Sequence, residues 1–134
     1  MNKNIFLDTN ILVDLLDRRR KNHHFAVKLL EFLIENEWEI YISEDMVSTL
    51  YYLIKDKKRV LKFLKEIAED WHVVPFGREV ILEAIHLAME NGEDLEDLLQ
   101  CLSAKRFGCI LMTNDKSFTE CGVQIVGYEW MEEI

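Results

Sequence analysis

The chain has 134 residues, about the length of one domain, and a chain of that size buries roughly two-thirds of its unfolded surface. Hydrophobic residues make up 49% and charged residues 31%, with one Pro and five Gly, which excludes a disordered, collagen-like or linker-rich chain. No apolar run approaches the roughly 18 residues of a membrane span. The opening stretch Met1–Asp8 holds too few apolar residues for a signal peptide, so one cytoplasmic domain over 1–134 with no membrane partner is expected. The three cysteines, Cys101, Cys109 and Cys121, are odd in number and lack metal-ligand spacing. They read as buried, reduced thiols rather than a zinc site or a disulfide framework.

The net charge of −9 is unevenly spread: residues 1–67 hold 12 basic and 11 acidic side chains, residues 68–134 hold 4 and 14. The basic residues cluster as Arg18, Arg19, Arg20 and Lys21, and as Lys55, Lys57, Lys58 and Arg59. Such asymmetry suits a polyanion-binding face, and it equally suits cations placed at helix C-termini.

Asn4–Leu7 reads as a short buried strand, after which Asp8, Thr9 and Asn10 cap a helix with Ile11, Leu12, Leu15 and Leu16 at helical spacing. A second helix spans about Asn22 to Asn36, and Glu39–Ile42 is a second strand. Ser43, Glu44 and Asp45 open a third helix carrying Met46, Val47, Leu50, Tyr51 and Ile54. Asp56 caps a fourth, with Val60, Leu61, Leu64 and Ile67 inward, and His72–Pro75 forms a strand that ends at its proline. Val80, Ile81, Ala84, Ile85, Ala88 and Met89 mark a helix that stops at Asn91-Gly92. Asp94 through Phe107 forms the next helix, with Leu95, Leu98, Leu99 and Leu102 buried. Strands at Cys109–Met112 and Val123–Val126 and a short acidic C-terminal helix complete the chain. Alternating strands and helices predict an α/β protein, a three-layer α/β/α sandwich around a short parallel central sheet.

Ligands of open α/β sheets bind outside the carboxyl ends of the strands. Two strands end there in related chemistry, Leu7-Asp8-Thr9-Asn10 and Met112-Thr113-Asn114-Asp115, and the acidic run Glu93-Asp94-Leu95-Glu96-Asp97 opens the helix before the second of them. Singly these acids are ordinary helix caps. Together they repel one another unless a cation is present or their pKa values rise, and an all-oxygen donor set suits Mg²⁺ or Mn²⁺.

These motifs carry a resemblance. Phe6-Leu-Asp8-Thr-Asn10-Ile-Leu12 with Asp14, Asp94-Leu-Glu-Asp97-Leu-Leu-Gln100 and Thr113-Asn-Asp115-Lys-Ser-Phe118 resemble, in order and spacing, the acidic motifs of PIN-domain proteins. Members of that family are metal-dependent ribonucleases, many of them toxins of toxin–antitoxin pairs and commonly homodimers. The resemblance implies metal-binding and catalytic roles for Asp8, Asp97 and Asp115, with Asp94 auxiliary. The family's usual second acid, a Glu, falls at Thr49, and the segment has no carboxylate there; Asp45, one turn earlier, reads either as a partial substitute or, in preference, as a first-turn acid favoured by the helix dipole.

The expected function is hydrolysis of RNA phosphodiester bonds with Mg²⁺ or Mn²⁺, with Asn10 and Thr113 orienting the carboxylates and the two basic clusters on the RNA backbone. A missing second acid implies weak, Mn²⁺-favouring activity, or none. Tyr51 and Tyr52 read as packing residues rather than base-stacking ones, and His23, His24, His72 and His86 as structural or solvated. The alternative is a catalytically degenerate PIN-like module binding RNA or a protein. A dehalogenase-type phosphohydrolase needs a second Asp where Asn10 stands, and a receiver domain needs a mid-chain strand Asp that this sequence lacks.

Overall fold

The computed structural model describes residues 2–115, 117–118 and 121–133. In chain order the elements are β1 (Asn4–Leu7), α1 (Thr9–Leu16), α2 (His23–Glu35), β2 (Glu39–Ser43), α3 (Asp45–Leu53), α4 (Lys57–Asp70), β3 (His72–Val74), α5 (Gly77–Asn91), α6 (Leu95–Arg106), β4 (Ile110–Met112), β5 (Ile125–Val126) and a 3-10 helix, Tyr128–Glu132.

The five strands form one parallel sheet in the order β3-β2-β1-β4-β5. β1 lies at its centre, in register Phe6 to Tyr41 on one side and Phe6 to Leu111 on the other. Its apolar run reflects that position, since Ile5 and Phe6 are wholly buried and a strand covered on both faces has no polar side to show. The chain steps from β1 to β2 to β3 towards one edge, then returns through α5 and α6 to β4 on the other side of β1. Right-handed crossovers taken in opposite directions lay their helices on opposite faces, which makes the three layers the sequence predicts. A main core runs from β1 through α2, α3 and α4, and a smaller one joins Val80 and Ala84 of α5 to Leu98 and Leu102 of α6.

The helix boundaries follow local chemistry. The Asp8 carboxylate accepts from the Thr9 amide at the start of α1, Asp56 from the Arg59 amide at the start of α4, and Asp94 from the Asp97 amide at the start of α6. Gly92 takes φ +67° at the end of α5, where its amide bonds the Ala88 carbonyl; a left-handed C-terminal residue is costly for anything but glycine.

Three expectations change. Cys101 and Cys121 are joined in a disulfide, their Cα atoms 6.0 Å apart, and only Cys109 is a buried free thiol. The two lie 20 residues apart in sequence, and the return of the chain from α6 through β4 brings them together. Leu61 and Leu95 face outward, 53% and 43% exposed, because the buried stripes of their helices run through Val60, Leu64 and Ile67 and through Leu98, Cys101 and Leu102. The last strand is only Ile125–Val126.

Candidate functional site

Strand order reverses between β1 and β4, since the chain leaves β1 towards β2 and later arrives at β4 on the opposite side. The crevice beyond the carboxyl ends at such a reversal is where open α/β sheets hold ligands, and it falls at Asp8 and Thr113. The Asp8 amide donates to the Met112 carbonyl at 2.9 Å, continuing the β1–β4 ladder to its last rung. Past that rung the Thr113 hydroxyl donates to Asp8 Oδ2 at 2.7 Å and accepts from the Asp115 amide at 3.1 Å and from Asn10 Nδ2 at 3.4 Å. Asn10 Oδ1 accepts from the Asn114 amide at 3.3 Å. One hydroxyl has thus filled its donor and both acceptor positions, and it fixes how the Asp8 carboxylate presents itself. The orienting roles expected of Asn10 and Thr113 match this network.

Asp8 is 7% exposed. Burial pushes its carboxyl up to about 6, the Thr113 hydroxyl and Thr9 amide pull it back, and the neighbouring charges of Asp97 and Glu96 push it further up. Both neighbours lie in the first turn of α6. Glu96 is itself raised, first by burial and then by Asp45, Asp94 and Asp97. The described structure therefore gathers Asp8, Asp97, Glu96, Asp94 and Asp45 into one field of negative charge. Asp94 spends its carboxylate on capping α6, through the 3.0 Å bond to the Asp97 amide. Asp45, the first residue of α3, accepts from the Ser43 hydroxyl, and the Thr49 hydroxyl is occupied by the Asp45 carbonyl at 3.1 Å.

Glu96 was not singled out in the sequence; its signal is its place beside Asp97 in the first turn of the acidic helix. Gln100 was also missed. It is 1% exposed, its Nε2 donates to Thr9 Oγ at 3.2 Å, and its buried Oε1 meets no donor among the described residues.

Asp115 is exposed and turned towards its own loop. Its Oδ1 accepts from the Ser117 amide at 2.9 Å and hydroxyl at 2.7 Å, which hold its carboxyl below the usual range. Among the described residues no three carboxylate, imidazole or thiol groups stand close enough to grip one ion together.

The basic clusters divide. Arg20 Nε donates to the buried Asp14 carboxylate at 2.7 Å, and the Tyr128 hydroxyl donates to its other oxygen at 2.7 Å. Burial and this carboxylate push the Tyr128 hydroxyl well above its ordinary range. Arg19 pairs with Asp17 at 3.2 Å, and Lys57 Nζ donates to the carbonyls of Tyr51 and Ile54, closing the end of α3. Arg20 and Lys57 are therefore structural ties, while Arg18, Lys21, Lys55 and Lys58 are exposed and Arg59 half-exposed. His72 and His86 make exposed pairs with Glu39 and Glu90, both at 3.2 Å, and His23 Nδ1 bonds the Asp14 carbonyl. Tyr52 is 80% exposed, and the Tyr51 ring lies 4.5 Å from Lys57 Nζ.

The donor set fits a hard dication. Its oxygens are carboxylates, and the mutual repulsion of Asp8, Asp97 and Glu96 is what a divalent cation relieves. An ion such as Mg²⁺ keeps several waters and needs only one or two protein carboxylates beside a phosphate ligand, so Asp8 and Asp97 would be its anchors.

Residues 5–123 match the PIN domain family. Ribonuclease VapC1 of Aquifex aeolicus (strain VF5) is 36% identical over 130 residues, covering 93% of this chain and 90% of that protein. Among solved structures, VapBC2 from Rickettsia felis bound to a DNA fragment from their promoter aligns with a TM-score of 0.70 at 22% identity, covering 92% of this chain and 98% of that one. A toxin–antitoxin complex from Klebsiella pneumoniae gives 0.71 at 20% identity, covering 92% and 97%. These two structures share the fold described above, and the sequence match runs from β1 to beyond Cys121: the chain belongs to the PIN domain family.

Proposed function

We propose that this chain is a divalent-metal-dependent ribonuclease that hydrolyses RNA phosphodiester bonds and acts as the toxin of a toxin–antitoxin pair. The observation that carries the reading is the Asp8 carboxylate, buried at the strand-order reversal, held by Thr113 and facing Asp97 and Glu96. Support comes from a relative named a ribonuclease at 36% identity and from structural relatives solved as toxin–antitoxin complexes. Asp8 and Asp97 would hold Mg²⁺ or Mn²⁺, and Asp115 would join them on giving up its bonds to Ser117. Bound there, the dication supplies an acidified water and offsets charge at the phosphate. The chain's own part is to keep Asp8 in one orientation through Thr113 and Asn10. Arg18, Lys21, Lys55, Lys58 and Arg59 would meet the RNA backbone, with salt-dependent affinity. Exposed Tyr52, Leu53, Leu82 and Met89 are apolar surface of the kind that a homodimer or an antitoxin covers.

The test is cleavage of a mixed-sequence RNA in Mn²⁺ and in Mg²⁺. The wild type should cut, better with Mn²⁺, and Asp8→Asn and Asp97→Asn should each lose at least a hundredfold. Unchanged cutting in both variants would contradict the reading. Thr49, in place of the family's second acid, favours one other reading, a module that binds RNA or protein without cutting. RNA binding by the wild type with no cleavage in either metal would select it.

A further inference from the structure

One residue of the acidic helix motif has no part in the reaction proposed above. Gln100 closes the run Asp94-Leu-Glu-Asp97-Leu-Leu-Gln100 and is 1% exposed, in a stretch of α6 where Leu98, Cys101, Leu102, Ser103 and Ala104 are buried too. At such a position methionine, unbranched and of similar length, would bury itself with nothing left unsatisfied. The amide does not: its Oε1 meets no donor among the described residues, and a buried polar atom left without a partner weakens the folded state. The other end of the amide is used. Nε2 donates to the Thr9 hydroxyl at 3.2 Å, across 91 residues of sequence, and so joins α6 to the first residue of α1.

That bond lies between the two proposed metal anchors. Thr9 follows Asp8 directly, and its amide donates to Asp8 Oδ1 at 2.8 Å. Gln100 stands three residues after Asp97 and four after Glu96, a spacing that puts all three on one face of the helix. The hydrogen bond therefore runs from the segment that carries one anchor to the helix that carries the other. Charge drives these two elements apart, since Asp97 and Glu96 repel the Asp8 carboxylate. A small dication holds its oxygens at short, narrowly defined distances, so anchors on separate elements grip it well only when their separation is set beforehand. Thr113 fixes how Asp8 is turned; the remaining need is a tie to α6.

We propose that Gln100 is a positioning residue for the dication site: its bond to Thr9 holds α6, and with it Asp97, at a set distance from Asp8, and its partnerless oxygen is stability given up for that hold. The proposal rests on the reading of Asp8 and Asp97 as metal anchors. Its test is calorimetric titration of Mn²⁺, together with urea unfolding of the metal-free protein, for the wild type, Gln100→Met, Thr9→Val and the double variant. Methionine removes both polar ends of the amide, and valine removes the Thr9 hydroxyl while keeping its branching and its backbone amide. Gln100→Met should unfold at the same urea concentration as the wild type or a higher one, yet bind Mn²⁺ at least threefold more weakly. Thr9→Val should weaken Mn²⁺ by a similar factor, and the double variant no further than either alone, because both substitutions break one bond. Binding by Gln100→Met at the wild-type affinity would overturn the proposal. So would a fall in its unfolding midpoint alongside the loss of affinity, which marks a packing residue, or a double variant in which the two losses multiply. These failures leave the metal site standing, whereas a wild type that binds no Mn²⁺ removes the site and the proposal with it.

Discussion

At Asp8 the folded chain holds a proton that the unfolded chain gives up. Its carboxyl moves from an ordinary 3.8 to about 6, chiefly by burial. Between those values the folded state binds more protons, so stability falls as pH rises through roughly 4 to 6 and levels off above. The shift corresponds to a cost on the order of 2–3 kcal/mol at neutral pH. Asp8→Asn removes the charge but forfeits one of two accepted hydrogen bonds, so it should stabilise the protein by about 1–2 kcal/mol at pH 7 and flatten the slope. Urea unfolding at pH 4, 5, 6 and 7 checks both. Glu96 is raised by the same surroundings and adds to the slope in the same direction. At this scale the sequence is informative where a functional side chain sits next to a strong structural signal. Asp8 follows an apolar strand directly, and Asp97 lies in the first turn of a capped helix. It is silent on Asp14 and Tyr128, whose 2.7 Å bond joins residues 114 apart, and on Arg20, whose place in a basic run conceals its pairing with that same buried carboxylate.

Elements decide how far the site can be assembled. α6 brings Asp97 and Glu96 to the crevice at its first turn, and one residue past Gln100 it carries Cys101, bonded to Cys121. The bond ties the helix to the segment that leaves β4 and bears Asp115. A cross-link closing a loop of this length adds about 3 kcal/mol by restricting the unfolded chain. Cys101→Ser should therefore lower the unfolding free energy by about 2–3 kcal/mol, with reductant giving the wild type a similar loss. An unfolding midpoint indifferent to both would contradict this. The pairing was illegible in the sequence because it depends on the β4 crossover, not on spacing. α3 is the element that falls short: at the position where the resemblance leads one to expect an acid it presents Thr49, its hydroxyl bonded to the Asp45 carbonyl. Thr49→Glu should tighten Mn²⁺ binding at least threefold and raise cleavage, if its carboxylate joins the field that Asp45 already exerts on Glu96; calorimetry on the variant measures it. Helix faces were only partly legible. Val60 and Leu61 are equally apolar neighbours, and only packing against the sheet decides that Val60 is buried and Leu61 exposed.

Across the whole molecule, parallel order β3-β2-β1-β4-β5 puts the reversal point at the centre of the sheet, between the buried carboxyl ends of β1 and β4. The layers and the strand order's consequence for the site were legible, because alternating apolar strands and helices admit few topologies. The charge asymmetry was legible too, but its parts were not equivalent: Asp94, Glu96 and Asp97 of the second half meet Asp8 and Asp45 of the first, while two of the eight clustered cations, Arg20 and Lys57, are bonded into the fold. The central claim is that Asp8 and Asp97 form a divalent-metal site. Its most direct test is calorimetric titration of Mn²⁺ into the wild type, Asp8→Asn and Asp97→Asn at pH 7, with folding verified by circular dichroism. The wild type should bind Mn²⁺ at micromolar affinity, and each variant should lose that binding or weaken it at least tenfold. No binding by the wild type, or equal binding by all three, would contradict it.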